Sequence, residues 1–397
     1  MMATHIHCLR VHQISLPMRV GFKHAAAERK RTESLIVELE LGSGVVGFGE
    51  SAPRPYVSGE TLASAAAAVR SVFLEPLLAV RPGRFADLLA AADSLPFTDA
   101  ENRPATSTRA AVELAMLDAY SRSFGRSLEE IAGWLGSSMF GTPGSMNSVR
   151  YSGVISAGEP KKVLRRLWMQ RRLLGLGDFK FKVGRPDDRQ VLEAVARKLR
   201  QRIGAGTASI RVDANCAWSP DEAIAWIRQM TGLPIASLEQ PVPREQDGQL
   251  KTIRQAGTIP LMVDESLVTP ADADRLIAAG GVDLFNIRVS KNGGLIAAMR
   301  LAERATAAGL GFQLGCMVGE TGLLSAAGRW FLSLVRGVKF AEGSFGRLLL
   351  ADDITRPSPR FGWHGKVRPM PGLGLGVTVD RGKLVKYAVA APIEIHL

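Results

Sequence analysis

From about residue 146 to residue 342, the sequence repeats one unit, in which a short apolar run ending in polar residues precedes a helical stretch. Continuous apolar strands that alternate with helices are typical of a parallel sheet with both faces covered. Eight units predict a closed (β/α)8 barrel of the TIM type, and the GxGxxG that marks a doubly wound sheet follows none of the runs. The eight apolar runs are 148–156, 179–183, 209–213, 236–239, 260–264, 284–289, 311–317 and 338–342.

The sequence before and after this repeat does not follow the strand–helix alternation, and it predicts a second unit of mixed strands and helices. Residues 34–41 alternate apolar and polar side chains as a strand does, and residues 107–124 have the apolar spacing of a helix. Residues 374–389 predict a hairpin or edge strand that packs back on the N-terminal region. We therefore expect an α/β chain with one large barrel and one smaller α+β unit.

The composition and the charge exclude several classes of protein. Hydrophobic residues make up 46% and charged residues 22% of the 397 residues, which is typical of a globular protein and not of a disordered one. The net charge is +12, but Lys and Arg are spread along the chain and aromatic residues are only 6%, so nucleic acid is not an expected partner. The three cysteines, Cys8, Cys216 and Cys316, are odd in number and far apart, which disfavours disulfides and a CxxC zinc site.

The sequence contains no segment that predicts membrane insertion or secretion. The longest uncharged run, residues 131–149, is interrupted by Gly, Ser and Pro, so it does not predict a transmembrane helix. The N-terminal residues lack the continuous apolar core of a signal peptide. We therefore expect a cytoplasmic protein without a membrane partner.

Charged residues end or follow five consecutive runs, where a barrel of this type has its active site. Asp213, Glu239 and Asp264 are separated by one unit each, so they are expected at a similar height on three adjacent strands. Three converging carboxylates form a hard-oxygen site that suits Mg²⁺, with Mn²⁺ as an alternative ion. The six residues of this pattern are Lys180, Lys182, Asp213, Glu239, Asp264 and Lys291.

The lysines of this pattern predict proton transfer next to the metal site. Lys180 and Lys182 are two residues apart on one strand, so both side chains should point into the barrel mouth. Lys291 follows the sixth run, which lies opposite the second run in a ring of eight, so it should face Lys182 across the site. A divalent cation on a substrate carboxylate stabilises the enolate that forms when the α-proton leaves. A lysine can take that proton when nearby positive charge lowers its pKa towards neutrality.

The number of acting lysines decides the reaction. A lysine on each face of the substrate permits removal of a proton from one side and its return on the other, which is racemisation or epimerisation. With one acting lysine, the same site can perform an elimination or a cycloisomerisation. None of the six histidines lies between residues 25 and 363, so a barrel-borne histidine base or metal ligand is excluded. A non-catalytic binding protein on a barrel is disfavoured because all six residues are present.

This set of motifs resembles the enolase superfamily, in its muconate-lactonising subgroup. The resemblance rests on the KxK motif, on VDAN, LEQP, DES and SKNGG, and on GFGES, AAVELAMLDA and SFGRLLLADDI outside those strands. It implies an enolase-type modified barrel at 141–360, with an α+β capping domain at 1–140 that the tail 361–397 completes. Two loops, 18–30 and 52–59, would close over a small-molecule carboxylate substrate, and members of the family assemble as homo-oligomers.

The resemblance leaves the reaction open, because the sequence departs from two known patterns. Dipeptide epimerases carry Asp-x-Asp after the eighth strand, where this chain has FAEGSFG, and muconate cycloisomerases carry a Glu where it has Gly343. Glu342 and Glu320 are each displaced by one position from the family patterns. The expected enzyme is therefore a muconate-type cycloisomerase or an epimerase of a dipeptide or N-acyl amino acid. The alternative is a lyase on the same scaffold, either an o-succinylbenzoate synthase or an acid dehydratase.

Five further residues are candidates for contact with the substrate or with the six residues above. Arg54, in the RPY stretch of the second loop, is a candidate partner of a substrate anion, and Glu320 and Glu342 are candidate substrate contacts. The alternatives are a solvated loop for Arg54, and a surface or helix-capping position for the two glutamates. Asn215 and Glu265, which closely follow the first and third metal-ligand candidates, are expected to support them.

Overall fold

The computed structural model describes residues 5–24, 27–142 and 149–397, without the side chains of residues 20–24, 27–29 and 347. Residues 25 and 26 of the predicted loop 18–30 thus lie outside the description, and the described backbone of that range belongs to two long paired strands. Within these ranges, the chain forms a four-stranded antiparallel sheet, a seven-stranded parallel sheet and a two-stranded sheet. No helix of the described ranges has both the length and the apolar content that crossing a bilayer requires.

The strands and helices alternate strictly only in the middle of the chain. The strands are β1 (Ile6–His24), β2 (Ala27–Leu41), β3 (Val46–Ser51), β4 (Gly153–Ile155), β5 (Asp178–Lys182), β6 (Ser209–Asp213), β7 (Ile235–Glu239), β8 (Leu261–Val263), β9 (Leu284–Ile287), β10 (Gly311–Leu314), β11 (Thr355–Arg356), β12 (Thr378–Val379) and β13 (Ile393–His396). The helices are α1 (Leu62–Ser71), α2 (Leu74–Leu78), α3 (Phe85–Asp93), α4 (Thr106–Phe124), α5 (Glu130–Leu135), α6 (Pro160–Leu174), α7 (Asp188–Gly204), α8 (Pro220–Gln229), α9 (Leu250–Gln255), α10 (Pro270–Ala279), α11 (Leu295–Ala307), α12 (Gly322–Leu334), α13 (Gly346–Leu349) and α14 (Arg381–Tyr387).

The antiparallel sheet, in the order β13-β1-β2-β3, joins the two ends of the described chain, because the last strand pairs with the first. The predicted hairpin or edge strand over 374–389 is wrong, since this stretch contains β12 and α14. The carboxylate of Asp380 accepts a hydrogen bond from the backbone of Lys383 and so caps α14, which ends the strand-like run. The edge strand is β13, farther along the chain.

The parallel sheet runs in the order β4 to β10 and curls into a barrel. Seven of the eight predicted runs form its strands, while the eighth, residues 338–342, closes the ring without becoming a regular strand. The backbone N–H of Leu314 donates to Phe340 (3.0 Å) and that of Ser152 donates to Ala341 (2.8 Å), so this segment joins β10 to the start of β4. The prediction of a (β/α)8 barrel with an α+β unit beside it is confirmed.

Two buried carboxylates of the N-terminal region tie it to the barrel. Glu50 at the end of β3 accepts a hydrogen bond from the backbone of Thr321 (3.0 Å) at the start of α12, and Glu113 of α4 accepts one from Ile296 (3.1 Å) in α11. Each carboxylate thus satisfies free N–H groups at a helix N-terminus. Gly294, with a φ of 119°, leaves no room for a side chain beside Glu113, which explains the second glycine of the SKNGG motif.

Candidate active site

The three predicted carboxylates lie on consecutive strand ends at the mouth of the barrel, and we call them the carboxylate row. Backbone pairing places Lys182 of β5 beside Asp213 of β6, and Asp213 beside Glu239 of β7, while Asp264 directly follows β8. All three carboxylates are almost completely buried. The expected register is thus present, because each βα unit of a parallel barrel ends its strand at a similar level.

Lys180 connects the carboxylate row to the segment that closes the barrel. Its Nζ atom lies 3.2 Å from Asp213 Oδ2, 3.1 Å from Glu239 Oε2 and 2.8 Å from Glu342 Oε2. Burial alone would lower the pKa of Lys180, but these carboxylates outweigh burial and hold that pKa well above its usual value. Lys180 is therefore held as an ammonium ion between these carboxylates.

Lys182 lies at one end of the carboxylate row. Its Nζ atom donates hydrogen bonds to Asp213 Oδ2 (2.7 Å) and to Asn215 Oδ1 (2.6 Å). The backbone of Asn215 is left-handed, with a φ of 49°, and its N–H donates to Asp213 Oδ1 (2.9 Å). One short turn thus positions both hydrogen-bond partners of Lys182. Asn215, which the sequence predicts to support the site, contacts this lysine directly.

Lys291 lies at the other end of the row. Its Nζ atom donates to Asp264 Oδ1 (2.9 Å), to the backbone oxygen of Asp264 (2.6 Å) and to that of Asn286 (2.9 Å). The side chain is completely buried, and burial lowers the pKa of Lys291 although the Asp264 carboxylate opposes this effect. Lys182 and Lys291 thus contact opposite ends of the row, in keeping with the ring geometry.

Arg288 is a component of the site that the sequence reasoning missed. Its guanidinium is paired with the Asp264 carboxylate and lies 3.9 Å from Glu239 Oε1, the same oxygen to which Asn286 donates (2.8 Å). Burial opposes its charge, but Asp264 outweighs burial and raises the pKa of Arg288 above its usual value. A signal was present, because Asn286 and Arg288 are two residues apart in the sixth run, like the lysines of the KxK motif in the second.

Crowded negative charge makes the carboxylate row a candidate metal centre. Burial and the neighbouring Asp213 carboxylate raise the pKa of Glu239 to about 8, so full ionisation of the row requires additional positive charge. The Oε2 atom of Glu265, which follows Asp264, is buried and has no hydrogen-bond partner within the described residues. Carboxylate oxygens and an unpaired acceptor are donors that suit Mg²⁺, so the residues present fit this ion.

The three carboxylates do not surround one point in this arrangement. Across the described ranges, the one group of three Cys, His or carboxylate ligand atoms within 4.8 Å of one another is Cys8, Glu394 and His396. In that group, the carboxylate of Glu394 is already paired with the guanidinium of Arg10, which donates a hydrogen bond to it (2.9 Å). At the barrel mouth, the carboxylates of the row are paired with Arg288 and with the three lysines. The three carboxylates therefore lie on adjacent strand ends as predicted. Their oxygens are not all within 4.8 Å of one another, as the ligand atoms of one ion would be.

Glu342 lies inside the barrel, and the alternative of a surface or helix-capping position is wrong. One carboxylate oxygen lies 2.8 Å from Lys180 Nζ and the other lies 2.8 Å from Arg211 Nη1. Burial opposes ionisation, but these two cations outweigh burial and lower the pKa of Glu342 below its usual value. Glu342 is therefore an anion that neutralises the barrel interior, and its contact with a substrate stays a prediction.

Glu320 and Arg54 line the same cavity as Lys180 and Lys182. Glu320 accepts hydrogen bonds from Ser325 Oγ (3.2 Å) and from the backbone of Met317 (3.2 Å), and burial raises its pKa to about 8. The alternative of a solvated loop is wrong for Arg54, which is 2% exposed and donates to the backbone oxygen of Glu33 (2.9 Å). Its guanidinium holds the second loop in place, and its contact with a substrate anion stays a prediction.

A cavity of about 560 Å³ opens on the barrel mouth. The second predicted loop, 52–59, contributes Tyr56 and Val57 to its wall, while α6 and residues 345–349 contribute mostly apolar side chains. Its polar wall contains Lys180, Lys182, Asn215, Glu265 and Arg288. The cavity can therefore bind an anionic group beside the lysines and an apolar group at the same time.

Comparison with known proteins agrees with this geometry. Residues 163–383 match a family model described as enolase C-terminal domain-like. The chain is 28% identical over 380 residues to the L-Ala-D/L-Glu epimerase of Bacillus subtilis, with 94% of this chain and 97% of that protein covered. It is 30% identical over 361 residues to muconate cycloisomerase 1-2 of Acinetobacter lwoffii, with 88% and 86% covered.

The fold is also that of a solved racemase. The structure of N-succinyl Arg/Lys racemase from Bacillus cereus superposes with a TM-score of 0.81 at 23% identity, over 99% of this chain and 100% of that one. The relatives and the family model agree on one scaffold, and both relatives are isomerases. The chain belongs to the enolase superfamily, in the group that contains muconate cycloisomerases and dipeptide epimerases, and it is an isomerase.

Proposed function

We propose that this chain is a Mg²⁺-dependent racemase or epimerase that inverts the α-carbon of an N-acyl amino acid or a dipeptide. The observation that carries the proposal is the placement of Lys182 and Lys291 at opposite ends of the carboxylate row. A substrate held at the row would present one face to each lysine, so a proton could leave from either face and return on the other.

Each charged residue of the site has a part in this proposal. Asp213, Glu239 and Asp264 would hold Mg²⁺, or Mn²⁺ in its place, and the bound ion supplies positive charge that stabilises the charge developing on the substrate carboxylate. Lys180 orients Glu239 and remains protonated throughout. Asn215 and Glu265 support these residues. Asn215 accepts a hydrogen bond from Lys182 Nζ, and Glu265 follows the proposed metal ligand Asp264.

Lys182 and Lys291 exchange the roles of proton acceptor and proton donor between the two enantiomers of the substrate. Burial lowers the pKa of Lys291, which favours its neutral form as a base. When Lys291 takes the α-proton of one enantiomer, Lys182 as an ammonium ion donates a proton to the opposite face. The other enantiomer reverses the two parts, so one lysine starts each turnover neutral and the other starts it protonated.

A muconate-type cycloisomerase is the second candidate, because the 30% identity to such an enzyme extends over most of both chains. The cavity favours the epimerase, because its volume of about 560 Å³ lies within the range of about 300–1,000 Å³ that encloses drug-sized ligands, which exceeds the need of a small diacid. A lysine at each end of the row is required by the epimerase and is also compatible with a cycloisomerase in which only one of the two acts. The lyase alternative predicts an eliminated product, which the same assay detects.

Proton NMR in D₂O with Mg²⁺ tests the proposal on N-acyl amino acids, dipeptides, muconate and o-succinylbenzoate precursors. We expect deuterium at the α-carbon together with inversion for an N-acyl amino acid or a dipeptide. Lys182→Ala and Lys291→Ala should each abolish inversion, because one face then has no proton donor. Each variant should still exchange the α-proton of one enantiomer, and the two variants should act on opposite enantiomers.

Lys161→Ala is the matched control, since Lys161 is an exposed lysine of α6 that does not line the cavity. It should leave exchange and inversion unchanged. A lactone from muconate without exchange at any amino acid would replace the epimerase with the cycloisomerase. Full inversion by both single-lysine variants would remove the two-base mechanism altogether.

The proposal includes the organisation of the chain around this site. We propose a capping domain at 1–140 completed by 361–397, a catalytic barrel at 141–360, a small-molecule carboxylate as substrate and a homo-oligomeric assembly. Light scattering coupled to size-exclusion chromatography measures the assembly directly. A mass of one chain at micromolar concentration would contradict the homo-oligomer.

A further inference from the structure

One part of the cavity wall is apolar, although it borders the charged barrel mouth. Helix α6 contributes Met169, Leu173 and Leu174 to this wall, and the segment after the barrel closure contributes Leu348 and Leu349. These five residues, which we call the apolar trough, line the same cavity as the lysines of the KxK motif. A ligand anchored at the lysines can therefore extend into the trough.

The exposure of the trough is unusual for side chains of this kind. Met169 is 39% exposed, Leu173 is 64% exposed and Leu348 is 48% exposed. The core-facing side of α6 is formed by other residues, Val163 and Leu167, which are buried against the barrel. Met169 and Leu173 thus form a second apolar row, four residues apart, on a helix otherwise rich in Lys and Arg. Clustered apolar side chains on a concave surface are typical of a ligand site.

We infer that the apolar trough binds the acyl chain of an N-acyl amino acid whose carboxylate lies at the lysines. This inference rests on the proposed function and specifies that the acyl group of its substrate is an apolar chain. A second carboxylate in the trough is disfavoured, because burial of a charge without a partner costs far more than burial of methylene groups. Arg166 lines the same cavity, but its guanidinium is exposed and donates to the backbone oxygen of Ser156 (3.3 Å), so the trough itself stays apolar.

Binding of N-acylglycines tests the trough separately from the reaction, since glycine has no stereocentre to invert. Calorimetry in Mg²⁺ buffer would compare N-acetyl-, N-hexanoyl- and N-decanoylglycine. Burial of each added methylene should lower the Kd by about two- to fourfold until the trough is filled. The same series of acyl groups on alanine, followed by proton NMR in D₂O, would show whether the longer chain also raises kcat/KM for inversion.

A pair of variants on α6 separates the trough from a general effect of the helix. Met169→Asp places a charge in the trough, at a position that is exposed and therefore tolerant of the change. Trp168→Asp makes the same change of charge one residue away, at a side chain that is 61% exposed and does not line the cavity. We expect Met169→Asp to abolish the dependence of the Kd on chain length, and Trp168→Asp to preserve that dependence.

The outcomes distinguish this inference from the proposed function. A Kd that does not change with chain length in the unaltered protein would overturn the trough as a binding site, whatever the protein catalyses. Equal losses in Met169→Asp and Trp168→Asp would overturn it as well. Binding that depends on chain length without any inversion or α-proton exchange would leave the trough in place and reject the proposed epimerase.

Discussion

The barrel mouth has two halves that are built differently. In one half, β5 to β9 pair in an unbroken parallel register at their carboxyl ends, and each contributes charge to the site directly or through the next residues. In the other half, residues 338–342 form no regular strand and join β10 to the chain just before β4 through isolated bridges. The first half holds both proposed bases and the carboxylate row.

The irregular half contains the positions at which this sequence departs from the family patterns, Glu320, Glu342 and Gly343. Gly343 and Ser344, just after the closing segment, both have a left-handed backbone, with φ of 129° and 55°. This half brings Glu320 to the cavity, and the apolar trough lies beside it. Catalytic groups need a fixed geometry, whereas groups that select a substrate can sit on irregular segments without disturbing it. In our proposal, the regular half therefore performs the chemistry and the irregular half selects the substrate.

Asp213→Asn should have the largest effect, because it removes charge from the regular half without removing volume. We expect kcat for the proposed inversion to fall by about 10³-fold, since electrostatic stabilisation supplies much of the rate. Mg²⁺ affinity should fall by about 10- to 100-fold. Isothermal calorimetry with Mg²⁺ and the NMR assay measure these two effects.

Glu320→Gln is the control from the irregular half, and it should leave Mg²⁺ affinity unchanged. Unchanged affinity in Asp213→Asn would place the ion elsewhere and remove the distinction between the halves. Circular dichroism should report an intact fold for both variants, because neither changes the size of a side chain appreciably.

Two glycine substitutions compare how tightly each half is packed. Gly294→Ala should destabilise the protein by about 3 kcal/mol, because a Cβ there collides with Glu113 in addition to straining the backbone. Gly343→Ala should cost about 1–2 kcal/mol, since its Cβ would meet Cys316 and Glu320 at an ordinary 3.4 Å and only the backbone is strained. Urea denaturation gives both free energies of unfolding, and a larger loss for Gly343→Ala would reverse the comparison.

Residues of the regular half could be predicted from the sequence because a parallel barrel repeats one geometry. The spacing of Asp213, Glu239 and Asp264 by one βα unit was enough to place them on adjacent strand ends. The alternation of a strand was enough to direct Lys180 and Lys182 to the same region. Arg288 follows the same rule, because it lies two residues after Asn286 in the sixth run.

Residues of irregular segments could not be placed in the same way. The side chain of Arg54 turns into the protein because backbone oxygens are available to it there, which no periodic pattern encodes. Glu342 is displaced from the family pattern, and only the three-dimensional arrangement pairs it with Arg211 from across the barrel. In each contact, Arg54 or Glu342 lies on an irregular segment, so no repeating strand register fixes its position, although partners such as Glu33 and Arg211 lie on regular strands.

The smallest expected effect comes from Glu320, and it appears only as a change with pH. Because burial raises the pKa of Glu320 to about 8, its carboxyl is neutral at pH 7 and becomes an anion as the pH rises through that value. A new anion in the cavity repels a carboxylate substrate, so kcat/KM should fall by about three- to tenfold between pH 7 and pH 9. Glu320→Gln mimics the neutral form and should remove this fall.

Glu342→Gln is the matched change for this last prediction, because its pKa is lowered by Lys180 and Arg211 despite burial, so it is already ionised at pH 7. It should retain the decline between pH 7 and pH 9, whatever it does to stability. Parallel pH profiles of the two variants and the unaltered protein isolate the titration of Glu320 from that of the lysines. If Glu320→Gln shows the same decline as the unaltered protein, Glu320 does not face the substrate, and the irregular half then selects its substrate through the apolar trough alone.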